Sequence, residues 1–294
     1  MPNREGADRV VHGFPHRAAV RASLTALYRR VSADGIRRHP ASVTAAEVAL
    51  GDGEDLHLGT LRVARALVGQ LRIPDVRPVV GFRRMEEAAA VELGPGPEYF
   101  VELNDRFRTR RADIGAALAH ELTHILLHRL DLSLPTTAEN EILTDVTAAY
   151  LGAGWLLLDA YRRDGVESQK LGYLTPEEFG HVLAKRAALF GEDPSPWFTS
   201  AVAYEAWVRG RAEAAREATA PPLAGAGWAE RRRYVWERRR GRASDGAPYA
   251  FTGGSPATAV AFPCPVCGQR LRVPAGRRLR ARCGLCGTVL ECES

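Results

Sequence analysis

Lysine is almost missing from this chain: Lys170 and Lys185 are its only lysines, and arginine supplies the rest of its 40 basic residues. Against 35 acidic residues this leaves a formal net charge of +5, which is too mild to indicate a partner by itself. The longest apolar stretch, Tyr150–Leu158, is too short to cross a bilayer. No apolar segment of the signal-peptide kind follows the polar stretch Met1–Arg9. We therefore expect a cytoplasmic protein with no membrane partner.

Cysteine is absent before position 264, which leaves no disulfide framework for most of the chain. Four of the five cysteines form two C-x-x-C-G knuckles: Cys264, Cys267, Cys283 and Cys286. Their spacing and the strand-like residues beside them predict a zinc ribbon with a structural zinc, because four thiolates leave no open coordination position. The alternative, two disulfides, fits poorly with the missing export signal. Cys292 is interpreted as a spare thiol.

The stretch from Ala119 to His124 contains the pattern HExxH within a helical, apolar segment. His120 and His124 lie about 40° apart on one face of a helix, so two imidazoles can reach one zinc ion. Glu121 would stand between the histidine face and the apolar face, where it could hold a metal-bound water. The alternative is the polar face of a surface helix. Because Glu121 is the only Asp, Glu, Lys or Arg from 114 to 127, we favour the metal site.

A second acidic motif follows on a helix predicted to begin at Thr136, with Glu139 completing a capping box. Glu141 is placed to be the third metal ligand, since a catalytic zinc takes three protein ligands and keeps one position open. Asp145 lies one turn further along and could accept the Nδ1–H of a zinc histidine. The alternative, an acidic first turn favoured by the helix dipole, accounts for Glu139 and Glu141 but poorly for Asp145.

Together the motifs His120-Glu121-x-x-His124 and Asn140-Glu141-x-x-Thr144-Asp145 resemble those of the gluzincin metallopeptidases, including the thermolysin-like enzymes. The resemblance covers about residues 112–153. It implies a zinc-dependent peptidase that hydrolyses peptide bonds of a protein or peptide substrate with a zinc-bound water activated by Glu121.

Three further residues are candidates near such a site. Tyr173 and His181 are predicted to be catalytic, as groups that could stabilise the oxyanion formed during peptide hydrolysis. His128 lies one helical turn beyond His124 and is predicted either to support the metal ligands without binding the ion or to be structural, because Glu141 already completes the set.

The predicted fold class is α+β: a mostly helical, zincin-like catalytic domain with a small antiparallel sheet, plus the zinc ribbon. The sheet is predicted from β-like runs at 78–82, 88–93 and 99–103, directly before the HExxH helix. We predict four segments: an N-terminal helical region (1–75), the metallopeptidase domain (76–219), an Arg-rich linker around a short basic helix (220–261) and the ribbon (262–294).

An alternative function stays open at this point. The chain could be a non-catalytic, zinc-stabilised binding or regulatory protein. Its Arg-rich linker and basic ribbon make nucleic acid or another protein candidate partners, although for the linker we favour a solvated Arg-rich helix. Both functions predict two zinc ions, one in each motif set.

Overall fold

The structure, a computed structural model, describes residues 11–51, 53–161, 163–164, 167–168 and 172–294. The chain divides into two compact units: unit 1 comprises Met1–Ser23 and Ile36–Arg211, and unit 2 comprises Leu24–Gly35 and Ala212–Ser294. About half of the chain is helical and the sheets are small, so the predicted α+β class is confirmed. The boundaries of the four predicted segments stay a prediction.

The helices of the described residues are α1 Arg17–Arg37, α2 Ala45–Val48, α3 Leu56–Gln70, α4 Ile114–Arg129, α5 Thr137–Tyr150, α6 Gly154–Asp159, α7 Pro176–Phe190, α8 Ala201–Thr219 and α9 Trp228–Arg240. The strands are β1 Arg77–Arg83, β2 Ala89–Val91, β3 Glu98–Asn104, β4 Arg163–Asp164, β5 Glu167–Ser168, β6 Ala250–Thr252, β7 Ala259–Pro263, β8 Arg270–Pro274, β9 Arg278–Arg282 and β10 Val289–Glu293. Among the described residues, no helix has both the length and the apolar character needed to span a membrane.

Helices α5 and α7 of unit 1 begin at capping boxes, as does the short helix α2, and the box before α5 is the one predicted from the sequence. At the start of α5, Glu139 N–H donates to Thr136 Oγ1 over 3.2 Å, and the Glu139 carboxylate accepts from the Thr136 N–H. Thr175 and Glu178 form the same box before α7, where Pro176 occupies the first helical position. These caps satisfy backbone donors at both starts and so fix where each helix begins.

The sheet of unit 1 has the order β1-β3-β2 and differs from the predicted antiparallel sheet. β2 runs antiparallel to β3, but β1 pairs with β3 in parallel, with Val80 opposite Val101. The prediction of an antiparallel sheet is therefore wrong for one of its two pairings. The physical reason is the strand order: the chain runs back along β2 at the edge and then returns through the centre, which gives β3 the direction of β1.

Helix α4 lies at the centre of unit 1. It packs on α3, α5 and α6 and on strands β2 and β3. Nearly all of its residues from Ile114 to Leu127 are buried, which agrees with their apolar sequence. The α4–α5 contact brings the HExxH motif and the second acidic motif together.

Helices α7 and α8 cross within unit 1 with their backbones in contact. A Cβ added at Gly180 would overlap the carbonyl of Ala206, and one added at Gly210 would overlap the backbone of Gly180 and His181. The two helix backbones can approach this closely only because both positions are glycine.

Unit 2 contains the sheet β6-β7-β8, the hairpin β9–β10 and helix α9. Its apolar core is formed by Leu223, Tyr234, Tyr249, Val260, Phe262, Val273 and Cys292. Residues 220–261, predicted as a linker around a basic helix, contain α9 and β6 and contribute Tyr234 and Tyr249 to that core.

Candidate metal centres

Three ligand atoms of unit 1 converge where α4 meets α5. Nε2 of His120 lies 3.1 Å from Oε2 of Glu141 and 3.1 Å from Nε2 of His124. Nε2 of His124 lies 3.5 Å from the same carboxylate oxygen. His120 is buried, whereas His124 and Glu141 are partly exposed. The structure thus brings the three predicted ligands together as a triangle that solvent can reach.

The size of this triangle fits a zinc ion. Zinc lies about 2.0–2.2 Å from nitrogen and oxygen ligands, so tetrahedral ligands are about 3.3–3.6 Å apart. The observed sides of 3.1, 3.1 and 3.5 Å are close to that separation. Two imidazoles and one carboxylate are also the donor set of zinc sites that keep a position open for chemistry.

Asp145 holds His120 in a defined orientation from the side opposite the triangle. Its Oδ1 accepts the Nδ1 proton of His120 over 3.0 Å, which leaves the Nε2 lone pair facing the other ligands. Its Oδ2 accepts from the backbone N–H groups of Tyr173 (2.5 Å) and Leu174 (3.0 Å). The carboxylate is fully buried, so these three donors replace the water that it loses. The predicted orienting role of Asp145 agrees with this geometry.

His124 is oriented in the same way by Thr144. The Thr144 hydroxyl donates to the carbonyl of Asn140 over 3.0 Å, so its oxygen is left to accept the Nδ1 proton of His124 at 3.3 Å. The Asn140 side chain in turn accepts from Leu134 N–H and donates to Leu134 C=O, both over 2.7 Å. Both histidines therefore present Nε2 to the site.

Glu121 is buried beside the triangle and is itself outside the ligand group. Burial raises the pKa of its carboxyl group, while the charges of His120 and His124 oppose that rise. Among the described residues, none donates a hydrogen bond to this carboxylate. Its oxygens are thus free to accept a proton from a water or another ligand at the site.

The electrostatics of the ligands favour a cation. Burial disfavours a charged imidazole, yet hydrogen bonds to Asp145 and Glu141 raise the pKa of His120 to about 10. Burial likewise disfavours the Glu141 carboxylate, yet His120 and His124 lower its pKa to about 2. Three carboxyl groups around two imidazoles create a negative potential that a divalent cation would neutralise.

The remaining predicted residues of unit 1 take different positions. Tyr173 lies in the bend whose backbone N–H groups donate to Asp145, and 47 % of the residue is exposed. Partial burial and the charges of Glu141 and Asp145 raise the pKa of its phenol. His181 is buried on α7, edge to face with Phe14, and lies outside the ligand group. His128 is exposed near the end of α4 and is likewise outside the group. Tyr173 therefore lies near two of the site's carboxylates, whereas the roles predicted for His181 and His128 stay predictions.

The four cysteines of the knuckles form the second group, in unit 2. Sγ of Cys264 lies 3.7 Å from Sγ of Cys286, and Sγ of Cys267 lies 3.6 Å from Sγ of Cys283. Zinc–sulfur bonds of about 2.3 Å place tetrahedral sulfurs about 3.8 Å apart, so the spacing fits a four-thiolate zinc site. A disulfide requires about 2.05 Å, which excludes the two-disulfide alternative here. Cys292 is buried outside the group, as predicted.

Each knuckle is closed by a glycine in a left-handed conformation. Gly268 N–H donates to the Cys264 carbonyl and Gly287 N–H to the Cys283 carbonyl, both over 2.9 Å. Both glycines have φ of +76°, where a side chain would be strained.

Comparison of the chain with protein-family models, with curated proteins and with solved structures finds no match. The geometry of the chain itself therefore carries the interpretation, which is a candidate His/His/Glu metal site and a four-cysteine cluster.

Two residues that contribute to the first centre were not predicted from the sequence. Thr144 lies inside the second motif, but its contact with His124 depends on how α4 and α5 pack. Gly172 borders Asp145 so closely that an added Cβ would lie 2.7 Å from Oδ2. The only sequence signal for this approach is a glycine just before the α7 cap.

Proposed function

We propose that unit 1 is a zinc-dependent peptidase whose ion is held by His120, His124 and Glu141. The observation that carries the proposal is the solvent-accessible triangle of ligand atoms with Glu121 buried next to it. The order and spacing of the two motifs, which resemble those of gluzincins, support peptide hydrolysis as the reaction.

When bound, zinc would supply Lewis acidity, polarising the carbonyl under attack and making water a better nucleophile at neutral pH. Glu121 accepts a proton from the attacking water on its carboxylate oxygen. It then delivers that proton to the amide nitrogen as the C–N bond breaks. Its burial suits both steps, since a raised pKa brings a carboxyl group nearer to neutral pH.

Asp145 and Thr144 support the reaction by fixing the histidines. Each accepts an Nδ1 proton, so neither imidazole can turn its Nε2 away from the site without losing a buried hydrogen bond. Tyr173 is the candidate for oxyanion stabilisation, because its phenol keeps its proton and is accessible beside Glu141. His181 and His128 have no part in this proposal.

The test is Glu121→Gln in the full chain. The amide cannot accept the proton of the attacking water, so peptide cleavage should fall by roughly 10²- to 10⁴-fold while zinc content stays at two ions per chain. Cleavage would be measured by N-terminal profiling of a protein library, with and without a chelator. Glu139→Gln, an exposed change on α5, is the matched control and should cleave like the wild type.

Two results would contradict the proposal. Cleavage retained by Glu121→Gln would remove this residue from the mechanism. A zinc-loaded wild type that cleaves nothing in the library would favour the alternative, a non-catalytic binding or regulatory protein.

A further inference from the structure

Unit 2 contains a cleft of about 290 Å³ that neither metal group uses. Helix α9 forms one wall through Arg231, Tyr234 and Arg238, and the start of the β9–β10 hairpin forms the other through Arg277 and Arg278. The three α9 residues are three and four positions apart, so they share one face of the helix. The cleft is large enough for a small polar group and its immediate substituent.

The charge of this cleft is unbalanced. Four arginines line it, against the side-chain carboxylate of Glu293 and the terminal carboxylate of Ser294. Glu293 pairs with Arg231 and, over 2.6 Å, with Arg278. Within the described part of the chain, no carboxylate pairs with Arg238 or Arg277. The remaining net charge of about +2 favours binding of an anion in the cleft.

Two buried donors that line the cleft also lack partners. The Tyr234 hydroxyl and the Nε of Arg238 make no hydrogen bond within the described residues. Tyr234 is 98 % buried, and its burial raises the pKa of the phenol, which therefore stays protonated. Buried donors in folded proteins are almost always satisfied, so an unsatisfied pair in a cationic cleft indicates a missing acceptor.

We propose that this cleft binds a phosphate group from the backbone of a single-stranded nucleic acid. Guanidinium groups bind phosphate oxygens through paired N–H donors, and a phosphate offers enough acceptors for Arg238, Arg277 and the Tyr234 hydroxyl together.

The surface beside the cleft favours a polynucleotide as the source of the phosphate. Trp228, at the start of α9, is 75 % exposed. Trp228 lies about 60° from Arg231 around the helix axis, next to the cleft. An exposed aromatic ring beside arginines can stack a base whose backbone phosphate is neutralised nearby.

The experiment measures fluorescence anisotropy of a labelled oligothymidylate with the zinc-loaded full chain. Arg238→Gln and Arg277→Gln should each weaken binding by roughly tenfold or more, since each removes charged donors. Arg277 is exposed, and its side chain makes no hydrogen bond or ion pair within the described residues. Tyr234→Phe should weaken binding several-fold while leaving the melting temperature unchanged or higher, because it removes an unsatisfied hydroxyl. Arg239→Gln, the same charge change on another face of α9, should alter binding less than about twofold.

Inorganic phosphate and a glutamate-rich peptide serve as competitors that identify the ligand. Displacement of the oligonucleotide by phosphate supports the proposal. Equal losses for Arg238→Gln and Arg239→Gln would overturn it, because they would indicate a general basic surface. Displacement by the peptide but not by phosphate would assign the cleft to an acidic protein segment instead. Saturable phosphate binding that depends on Arg238, without oligonucleotide binding, would overturn nucleic acid as the source.

Discussion

The two candidate metal centres are assembled in opposite ways. The four cysteines come from two short knuckles whose glycine-closed turns preset the sulfur positions, and all four are buried. The His/His/Glu group draws its ligands from two helices, and its orientation depends on Asp145, Thr144 and the backbone after Gly172. A locally built, closed site suits a structural ion. A site built by tertiary packing, with two partly exposed ligands, suits exchange of water and substrate.

The largest expected effect comes from breaking the closed centre. Cys283→Ser removes one thiolate, and a serine hydroxyl cannot replace it as a zinc ligand at neutral pH. Structural zinc contributes roughly 10 kcal/mol to folding of small zinc domains, so unit 2 should lose its fold. Zinc content should fall from two ions to one, and limited proteolysis should cut within residues 212–294. Cys292→Ala, which changes a buried thiol outside the ligand group, should retain both ions.

An intermediate effect is expected from loosening the open centre without changing a ligand. In the wild type, both carboxylate oxygens of Asp145 accept hydrogen bonds, one from His120 and the other from two backbone N–H groups. In Asp145→Asn, an amide NH₂ group replaces one of these oxygens, so a buried donor faces another donor. Loss of such a ligand partner typically costs 10- to 100-fold in metal affinity. Chelator competition should therefore remove the ion of the His/His/Glu group at lower chelator concentration, with the four-cysteine ion unaffected.

The control for this change is Glu139→Gln, which lies on the same helix but contacts no ligand. An unchanged chelation curve for Asp145→Asn would show that His120 is held by other contacts, and the comparison of the two centres would lose its main support.

The smallest expected effect is a difference in zinc affinity between variants of two threonines that lie one turn apart on α5. Thr144→Val removes the acceptor for His124 Nδ1–H, so zinc affinity of the open centre should fall by up to about tenfold. Thr147→Val removes a buried hydroxyl that has no hydrogen-bond partner among the described residues, so it should raise stability by about 1 kcal/mol. Zinc titration and thermal unfolding of both variants check the pair. Equal effects on zinc affinity would contradict the role assigned to Thr144.

Local signals account for what the sequence predicted. The histidine spacing, the capping box at Thr136 and the cysteine knuckles each lie within a few residues, so helix geometry or turn chemistry fixes them. The direction of β1 relative to β3 depends on strand order, which no residue pattern in the strands encodes. The contact of Thr144 with His124 and the amides that hold Asp145 depend on packing between elements distant in sequence. The arginine-lined cleft was beyond prediction for the same reason: its walls are about 40 residues apart.

The backbone crossing at Gly180 and Gly210 makes ligand geometry depend on a residue that touches no ligand. A methyl group at 210 would force α7 away from α8, because it would occupy the space of the Gly180 carbonyl carbon. The segment just before α7 contains the two backbone N–H groups that donate to Asp145. Displacement of α7 would therefore move the Asp145 carboxylate, which orients His120. Substitution of Gly210 by alanine would thus impair metal retention before it unfolds the chain, and mutational tolerance in unit 1 should not simply increase with distance from the ion.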